Sequence, residues 1–191
     1  MKSEVGGQRS EVGGQRSEVG GQRSEVRKAA FVALGSNLGD ARQNILQAFR
    51  RLQQLSEQPL LRSSLWQTSP VDCPPGSPRF VNAVAALAPR AGETPESLLA
   101  KLQAMEKDFG RQPKKMLNEA RALDLDLIAF GGEMRATQEL IVPHPRAHLR
   151  RFVLQPLSEV APDLVLCGQT KTVSQLLEAL PPDESIRKLD T

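Results

Sequence analysis

The chain has 191 residues, a formal net charge of +3 at pH 7, 39% hydrophobic residues and two cysteines, Cys73 and Cys167. This length and apolar content favour one globular domain, and two cysteines are too few for a disulfide framework. Because no stretch approaches the roughly 18 consecutive apolar residues of a membrane span, the sequence predicts a soluble, cytoplasmic protein.

The first 27 residues differ in kind from the rest. The heptad "SEVGGQR" occurs three times in tandem, and a fourth copy begins at Ser24. Each repeat offers one valine and two adjacent glycines, so it lacks a coiled-coil seam and opposes helix formation. We interpret residues 1–27 as a disordered tail and residues 28–191 as a single domain. Residues 1–28 carry six basic and four acidic residues, which leaves 19 basic and 18 acidic for the rest of the chain. The pI of about 9.1 therefore gives no reason to expect nucleic acid as a partner.

From Ala29 onward the chain alternates between strand and helix patterns. "AAFVALGS" predicts a strand, and the turn "SNLGD" that follows is interpreted as a plain connection to a helix. In that helix, apolar residues recur every three or four positions between Leu38 and Leu55. "LLRSSLWQT" at 60–68 and "RFVNAVAAL" at 79–87 are predicted strands. The loop between them contains four prolines, which exclude regular structure there.

A second helix is predicted to begin after Thr94, with Pro95 in its first position, and to end at Gly110. The basic loop "RQPKKMLNEAR" follows, then the strand "ALDLDLIAF", a Gly-Gly turn, and a C-terminal part with the helical pattern "VSQLLEAL". The order β-α-β-β-α-β predicts an α+β fold, with a ferredoxin-like βαββαβ core and additional C-terminal helices.

Two aspartates lie two positions apart in the strand that follows the basic loop. Alternation places Asp124 and Asp126 on one face and Leu123, Leu125 and Leu127 on the other. Two neighbouring carboxylates repel each other when both are ionised, so we expect a cation between them. The alternative is a solvated strand face on which each acid pairs with a surface lysine or arginine.

Basic residues outnumber these two acids on both sides in sequence. They are Arg111, Lys114, Lys115 and Arg121 before the strand, and Arg146, Arg150 and Arg151 after it. This surplus of positive charge suits a polyanion. A divalent metal with bound phosphates satisfies both signs of charge, so the pattern predicts a magnesium-dependent phosphoryl-transfer site.

Four segments carry a resemblance to a known family: "FVALGSNLGD", "FVNAV", "ARALDLDLI" and "VPHPRAHLRRFVLQPLSEVAPDLV". In this order and approximate spacing, the chain resembles the 6-hydroxymethyl-7,8-dihydropterin pyrophosphokinases of folate biosynthesis from about residue 29 to residue 180. The resemblance implies an enzyme that binds ATP with two Mg²⁺ ions, transfers pyrophosphate to the pterin hydroxymethyl group and releases AMP. It also implies a ferredoxin-like core and small-molecule substrates, and we expect a monomer.

The resemblance also implies site residues. Asp124 and Asp126 would hold the magnesium ions, and Arg111, Arg121 and Asp126 would be catalytic. The implied ATP contacts are Leu99, Gln103, Glu106, Lys114, Leu127, His144 and Arg150. The implied pterin pocket consists of Thr68, Val71, Phe80, Asn82 and Phe152. In this pocket the two phenylalanine rings would stack on the flat pterin while the amide reads its edge.

The basic loop departs from the family pattern at Leu117, Asn118 and Glu119, residues expected to affect closure of the loop over the pterin.

Two other classes of protein place similar features on the same ferredoxin-like core. A polymerase-like or cyclase-like palm carries paired aspartates, but it does not explain the proposed pterin pocket. An RNA-binding module needs exposed aromatic residues on its central strands, and the chain has no Tyr and no matching motif.

Overall fold

The computed structural model describes residues 28–71, 73–111 and 119–190. They form a six-stranded antiparallel sheet with helices on both faces, and a second, two-stranded sheet. The strands are β1 (Ala30–Ser36), β2 (Leu61–Arg62), β3 (Trp66–Thr68), β4 (Phe80–Leu87), β5 (Asp124–Phe130), β6 (Arg135–Ala136), β7 (Ile141–Val142) and β8 (Arg187–Lys188). The four helices are α1 (Ala41–Gln53), α2 (Pro95–Asp108), α3 (Arg151–Val160) and α4 (Val173–Ala179). The predicted tail lies outside the described residues.

The main sheet has the strand order β5-β1-β4-β3-β8, and β2 also pairs with β4. Gly35 of β1 lies opposite Asn82 of β4 on one side and opposite Asp124 of β5 on the other. Trp66 of β3 lies opposite Asn82. Directly opposite residues of antiparallel strands project to the same face. These four residues therefore form one row across the sheet.

Helices α1 and α2 cover one face of the sheet. Asp40 begins α1 by accepting a hydrogen bond from the Gln43 N–H, and Thr94 begins α2 through a capping box with Ser97. Their apolar sides pack into one buried cluster with alternate residues of the strands. Both predicted helices are confirmed. However, Leu38 precedes α1 and is 50% exposed, so the first helix is shorter than its apolar pattern suggested.

Helices α3 and α4 pack on the opposite face, over Phe31, Val84 and Ile128. The predicted fold included additional C-terminal helices, but the sequence pattern located only α4, because the prolines around His144 gave no sign that a helix begins seven residues later. No helix in the described part of the chain has the length and apolar character needed to cross a membrane.

The predicted strand 60–68 is divided in the structure. Residues 63–65 separate β2 from β3, and the Ser63 hydroxyl accepts a hydrogen bond from the Val84 N–H at 2.9 Å. Strand β8, which pairs with β3, was not predicted because two charged residues carry no strand pattern. The alternation in β5 is confirmed, since Leu123, Leu125 and Leu127 are buried while both aspartates are half-buried.

Candidate active site

The two aspartates lie at the start of the edge strand β5, and their surroundings differ. Asp124 accepts a hydrogen bond from Arg121 Nη1 at 2.8 Å, and its Oδ1 lies 3.4 Å from Arg111 Nη1. Among the described residues, no ion pair within 4 Å is found for Asp126. The predicted arginines therefore gather at one of the two acids and leave the other without a direct cation.

Electrostatics set Asp126 apart. Burial raises the pKa of Asp126, and the negative charge of Asp124 raises it further. His144, Arg150 and Arg121 act in the opposite direction without reversing the shift. A carboxylate in this position gains stability from any cation that reaches it.

Glu106 reaches β5 from helix α2. Its buried carboxylate accepts a hydrogen bond from the Leu125 N–H at 2.9 Å and forms an ion pair with Arg111. Because β5 is an edge strand, this N–H has no partner strand, and the carboxylate satisfies it. Burial raises the pKa of Glu106, although the Leu125 N–H and Arg111 oppose the shift. Glu106 thus fixes both the strand that carries the aspartates and one predicted catalytic arginine.

A cleft of about 260 Å³ opens at the outer edge of β5. Its wall includes Asp126 and three of the predicted ATP contacts, Leu99, Leu127 and His144, together with residues 138–141. A cleft lined by apolar side chains together with a few polar and charged groups suits a flat heterocycle attached to a charged chain. Gln103 is an exposed residue of α2 and is not part of this lining.

His144 is held in place by one main-chain and one ring hydrogen bond. Its main-chain N–H donates to the Ile128 carbonyl at 2.9 Å, and its Nδ1 accepts from the Arg146 N–H at 3.2 Å. Burial lowers the pKa of His144. A neutral ring that accepts at Nδ1 carries its proton on Nε2, so His144 can donate a hydrogen bond from Nε2.

Three predicted pterin residues form a second cluster on the exposed end of the sheet. Asn82 is buried and donates from Nδ2 to Thr68 Oγ1 at 2.7 Å. A Cβ atom added to Gly35 would lie 3.3 Å from Asn82 Oδ1, 3.8 Å from Phe80 Cδ1 and 3.9 Å from Asp124 Cβ. Phe80, Asn82 and Asp124 therefore border the same space above Gly35.

Phe152 and Arg150 come from the beginning of α3. The Arg150 guanidinium carbon lies 5.4 Å from the centroid of the Phe152 ring, within the range of a cation–π contact. The charge of Arg150 also acts on Asp126. The start of helix α3, which the sequence pattern did not locate, thus brings Arg150, with Phe152 beside it, towards the acid pair.

The structure leaves some predicted residues apart from these clusters. Val71 is 55% exposed in the proline-rich loop, where its carbonyl accepts a contact from the thiol of Cys73. Lys114, Leu117 and Asn118 lie outside the described residues. Glu119 is described, and its carbonyl accepts a hydrogen bond from Arg121 Nε at 3.1 Å.

Asn37 was not among the predicted site residues, and it lies in the turn interpreted as a plain connection. Asn37 is buried, and its Oδ1 accepts a hydrogen bond from the Arg121 N–H at 2.8 Å. Its own N–H donates to the Arg121 carbonyl at 3.1 Å, and its Nδ2 donates to the Pro78 carbonyl at 3.3 Å. A signal for Asn37 was available in the sequence: its amide can both donate and accept a hydrogen bond, and it directly follows a predicted strand.

The donor set of the acid pair fits a hard divalent cation. In the ranges that the structure describes, no group of three or more His, Cys, Asp or Glu side chains could hold a metal ion alone. Mg²⁺ commonly takes one or two protein carboxylates and completes its coordination with water and substrate phosphates. Asp124 and Asp126 match that requirement, and a buried carboxylate beside a second one benefits from the added positive charge.

Comparison with known proteins agrees with this geometry. The sequence model of 7,8-dihydro-6-hydroxymethylpterin-pyrophosphokinase (HPPK) matches residues 31–162. The chain is 40% identical over 152 residues to a Pseudomonas aeruginosa 2-amino-4-hydroxy-6-hydroxymethyldihydropteridine pyrophosphokinase, covering 79% of this chain and 91% of that protein. It is 34% identical over 158 residues to the Haemophilus influenzae protein of the same name, covering 83% and 96%.

Solved structures show the same fold at low sequence identity. A crystal structure of an HPPK-DHPS protein in complex with substrates aligns with a TM-score of 0.63 and 11% identity, over 84% of this chain. The chain spans about half of that solved protein, 46% of its length. On the sequence matches, the chain belongs to the 7,8-dihydro-6-hydroxymethylpterin-pyrophosphokinase family.

Proposed function

We propose that the gap above Gly35 is where this chain carries out the reaction of its family. That reaction transfers pyrophosphate from ATP to the hydroxymethyl group of 6-hydroxymethyl-7,8-dihydropterin, with release of AMP, in folate biosynthesis. The observation that carries the proposal is that Asp124 and the cluster of Phe80 and Asn82 border one gap. Such a gap can bring a phosphate chain and a flat acceptor together, and placement is a large part of the catalysis of a two-substrate reaction.

We assign the adenosine half of ATP to the cleft lined by Leu99, Leu127 and His144, with the phosphates directed to Asp126. The Nε2–H of His144 supplies a hydrogen-bond donor beside the phosphates. Arg111 and Arg121 already lie against Asp124, so a short side-chain movement brings their charge to the phosphates. The other ATP contacts implied by the family resemblance stay predictions; they are Gln103, Glu106, Lys114 and Arg150.

Asp124 and Asp126 would hold magnesium, with two ions in our proposal. Bound there, the metal would offset the phosphate charge and polarise the phosphoryl oxygens. The chain's own contribution is to keep both carboxylates on one strand face, because buried leucines anchor the opposite face. The catalytic role of Asp126 beyond metal binding stays a prediction from the family resemblance.

We assign the pterin to the other side of the gap. Asn82 gives its Nδ2 to Thr68, while its Oδ1 accepts no hydrogen bond among the described residues and faces the space above Gly35. An acceptor fixed in this way can read the ring N–H and amino groups of a pterin. Phe80 and Phe152 would add stacking area. Val71 would join them only if its loop moved, since it is exposed here.

The ferredoxin-like core is also part of the proposal. The order β5-β1-β4-β3 places the fourth, first, third and second strands of a βαββαβ unit side by side, and α1 and α2 share one face. Helices α3 and α4 would then be the additional C-terminal helices. A single domain over residues 28–191, a monomeric state and a cytoplasmic location stay predictions.

The test of this function incubates the purified chain with ATP, Mg²⁺ and 6-hydroxymethyl-7,8-dihydropterin and follows AMP and the pterin diphosphate together. Both products are expected in equal amounts, and only when pterin and metal are present. Loss of ATP without pterin, or no AMP at all, would contradict the proposal. Pyrophosphate released from nucleoside triphosphates in the absence of pterin would favour the palm-like alternative.

Gly35→Ala is expected to lower kcat/KM for the pterin about tenfold, since a side chain that misplaces a substrate by a fraction of an ångström removes part of the benefit of positioning. The added methyl group would lie 3.3 Å from Asn82 Oδ1, so the amide has to shift. The measurement is the initial rate of AMP release at varied pterin concentration. Gly132→Ala is the matched control, because nothing lies within 4 Å of its added Cβ. Equal kinetics for the two variants would mean that the pterin does not bind above Gly35.

A further inference from the structure

Asn37 joins two loops that approach the proposed site from different directions. One is the segment that leads into β5 and carries Arg121, and the other is the proline-rich loop that leads into β4 and Phe80. The side chain of Asn37 bonds to the main chain of both loops, at the Arg121 N–H and at the Pro78 carbonyl. Asn37 is only 4% exposed, so water cannot readily replace these hydrogen bonds.

Each of the two side-chain hydrogen bonds of Asn37 holds the loop on a different side of the proposed site. Arg121 is held at its main chain by Asn37, while its Nη1 reaches Asp124 and its Nε donates to the Glu119 carbonyl. Pro78 lies two residues before Phe80, the first residue of β4. One buried side chain therefore contacts the main chain beside both the Arg121 guanidinium and the Phe80 ring.

We propose that Asn37 is a positioning residue for the transfer reaction. It holds the main chains of Arg121 and Pro78 at a fixed separation, so that the guanidinium and the pterin cluster meet above Gly35. This inference rests on the proposed function and deepens it. An asparagine suits the role because one short side chain supplies an acceptor to the first loop and a donor to the second.

A second asparagine in the same region provides a matched control. Asn44 of α1 donates from Nδ2 to Ser36 Oγ at 3.2 Å and to the Leu38 carbonyl at 3.0 Å. It stabilises the same turn from the helix side, and its hydrogen bonds go to neither Arg121 nor Pro78. Asn37→Ala and Asn44→Ala therefore each remove two side-chain hydrogen bonds around this turn, but only the first removes bonds to the two loops. The main-chain bond from the Asn37 N–H to the Arg121 carbonyl is kept in both variants.

The experiment compares Asn37→Ala, Asn44→Ala, Arg121→Ala and the double variant Asn37→Ala/Arg121→Ala in the AMP assay. Asn37→Ala is expected to lower kcat about 10- to 100-fold, the scale of a misplaced reacting group, whereas Asn44→Ala stays within about threefold. If Asn37 acts through Arg121, its replacement should cost no more than about threefold once Arg121 is absent. The KM for the pterin should rise in Asn37→Ala, because the Pro78 loop is also released.

Hydrogen exchange of the main chain supplies a readout that does not need turnover. The Arg121 amide should exchange faster in Asn37→Ala than in Asn44→Ala, measured under identical conditions. Should Asn37→Ala fail to fold, Asn37→Ser replaces it, because a serine hydroxyl is too short to reach both loops. Circular dichroism melting of every variant checks that the fold is retained.

Two results would overturn the role of Asn37 alone. One is an equal loss of kcat in Asn37→Ala and Asn44→Ala, and the other is a full additional loss when Asn37 is replaced in the Arg121→Ala background. In both cases the wild-type chain still forms AMP, so the proposed function stands. If the wild-type chain forms no AMP, the proposed function fails and the positioning role fails with it.

Discussion

Asp126→Asn is expected to abolish pyrophosphate transfer and at the same time to make the metal-free protein more stable. The loss of turnover should be about 10²- to 10³-fold, the range for removing a group that stabilises transition-state charge. The gain in stability follows from the pKa of Asp126, which burial raises and the charge of Asp124 raises further. An amide of the same shape carries no charge to desolvate and does not repel Asp124.

The pH dependence of this gain has a defined sign. An acid whose pKa is higher in the folded than in the unfolded state binds more protons when folded, so stability falls as pH rises through these values. The cost that wild-type Asp126 imposes therefore grows as the pH rises from its unfolded-state pKa through its higher folded-state pKa. Asp126→Asn should unfold about 2 to 4 °C higher in EDTA, the shift that about 1 kcal/mol gives in a chain of this size. The difference should narrow as the pH is lowered towards 4.

Asp124→Asn should abolish turnover too, but with the opposite effect on stability. Asp124 is the partner of Arg121 at 2.8 Å and lies close to Arg111, so its removal leaves two guanidinium groups without this partner. Thermal unfolding at pH 7 in EDTA, with the exposed Asp163→Asn as control, distinguishes the two variants. Turnover near the wild-type level in either variant would contradict a metal-binding role for the two acids and favour the alternative, a solvated strand face.

Arg121→Ala is expected to have the second largest effect, lowering kcat about 10²- to 10³-fold with a smaller change in the KM for ATP. The reason is that its guanidinium lies beside the acid pair, where phosphate charge develops during transfer. Arg121→Lys should recover only part of the rate. A single ammonium lacks the planar fork that donates to Glu119 and Asp124 at once.

Arg111→Ala provides an informative comparison, because Arg111 pairs with the buried Glu106. Its removal should cost stability, about 3 kcal/mol for a buried carboxylate left without its cation, in addition to turnover. Arg51→Ala, which removes an ion pair to Asp108 on α2, should leave the rate unchanged. Rates of AMP release and urea unfolding curves on the same preparations separate these effects. A rate for Arg121→Ala equal to that of Arg51→Ala would exclude Arg121 from catalysis.

Local physical rules made much of the site predictable from sequence. Asp124 and Asp126 share a face because side chains alternate along any strand, and the leucines between them have to be buried. Helix α2 was recognisable from Thr94 and Pro95, because capping and the fixed proline φ act over a few residues. The spacing of Leu99 and Glu106 along that helix likewise follows from its period. These features need no knowledge of the rest of the chain.

The tertiary structure decided what those features meet. Gly35 lies between Asn82 and Asp124 because of the register of three strands that are far apart in sequence. Asn37 and Arg121 are 84 residues apart, and nothing in either local pattern marks the hydrogen bonds between them. Local preference acts within a few residues, whereas register and loop contacts are set by how the two faces of the sheet bury their apolar side chains. The sequence by itself determined that Asp124 and Asp126 share one face of a strand. Only the packing of the whole chain decided that Asn37 and Gly35 lie beside that strand.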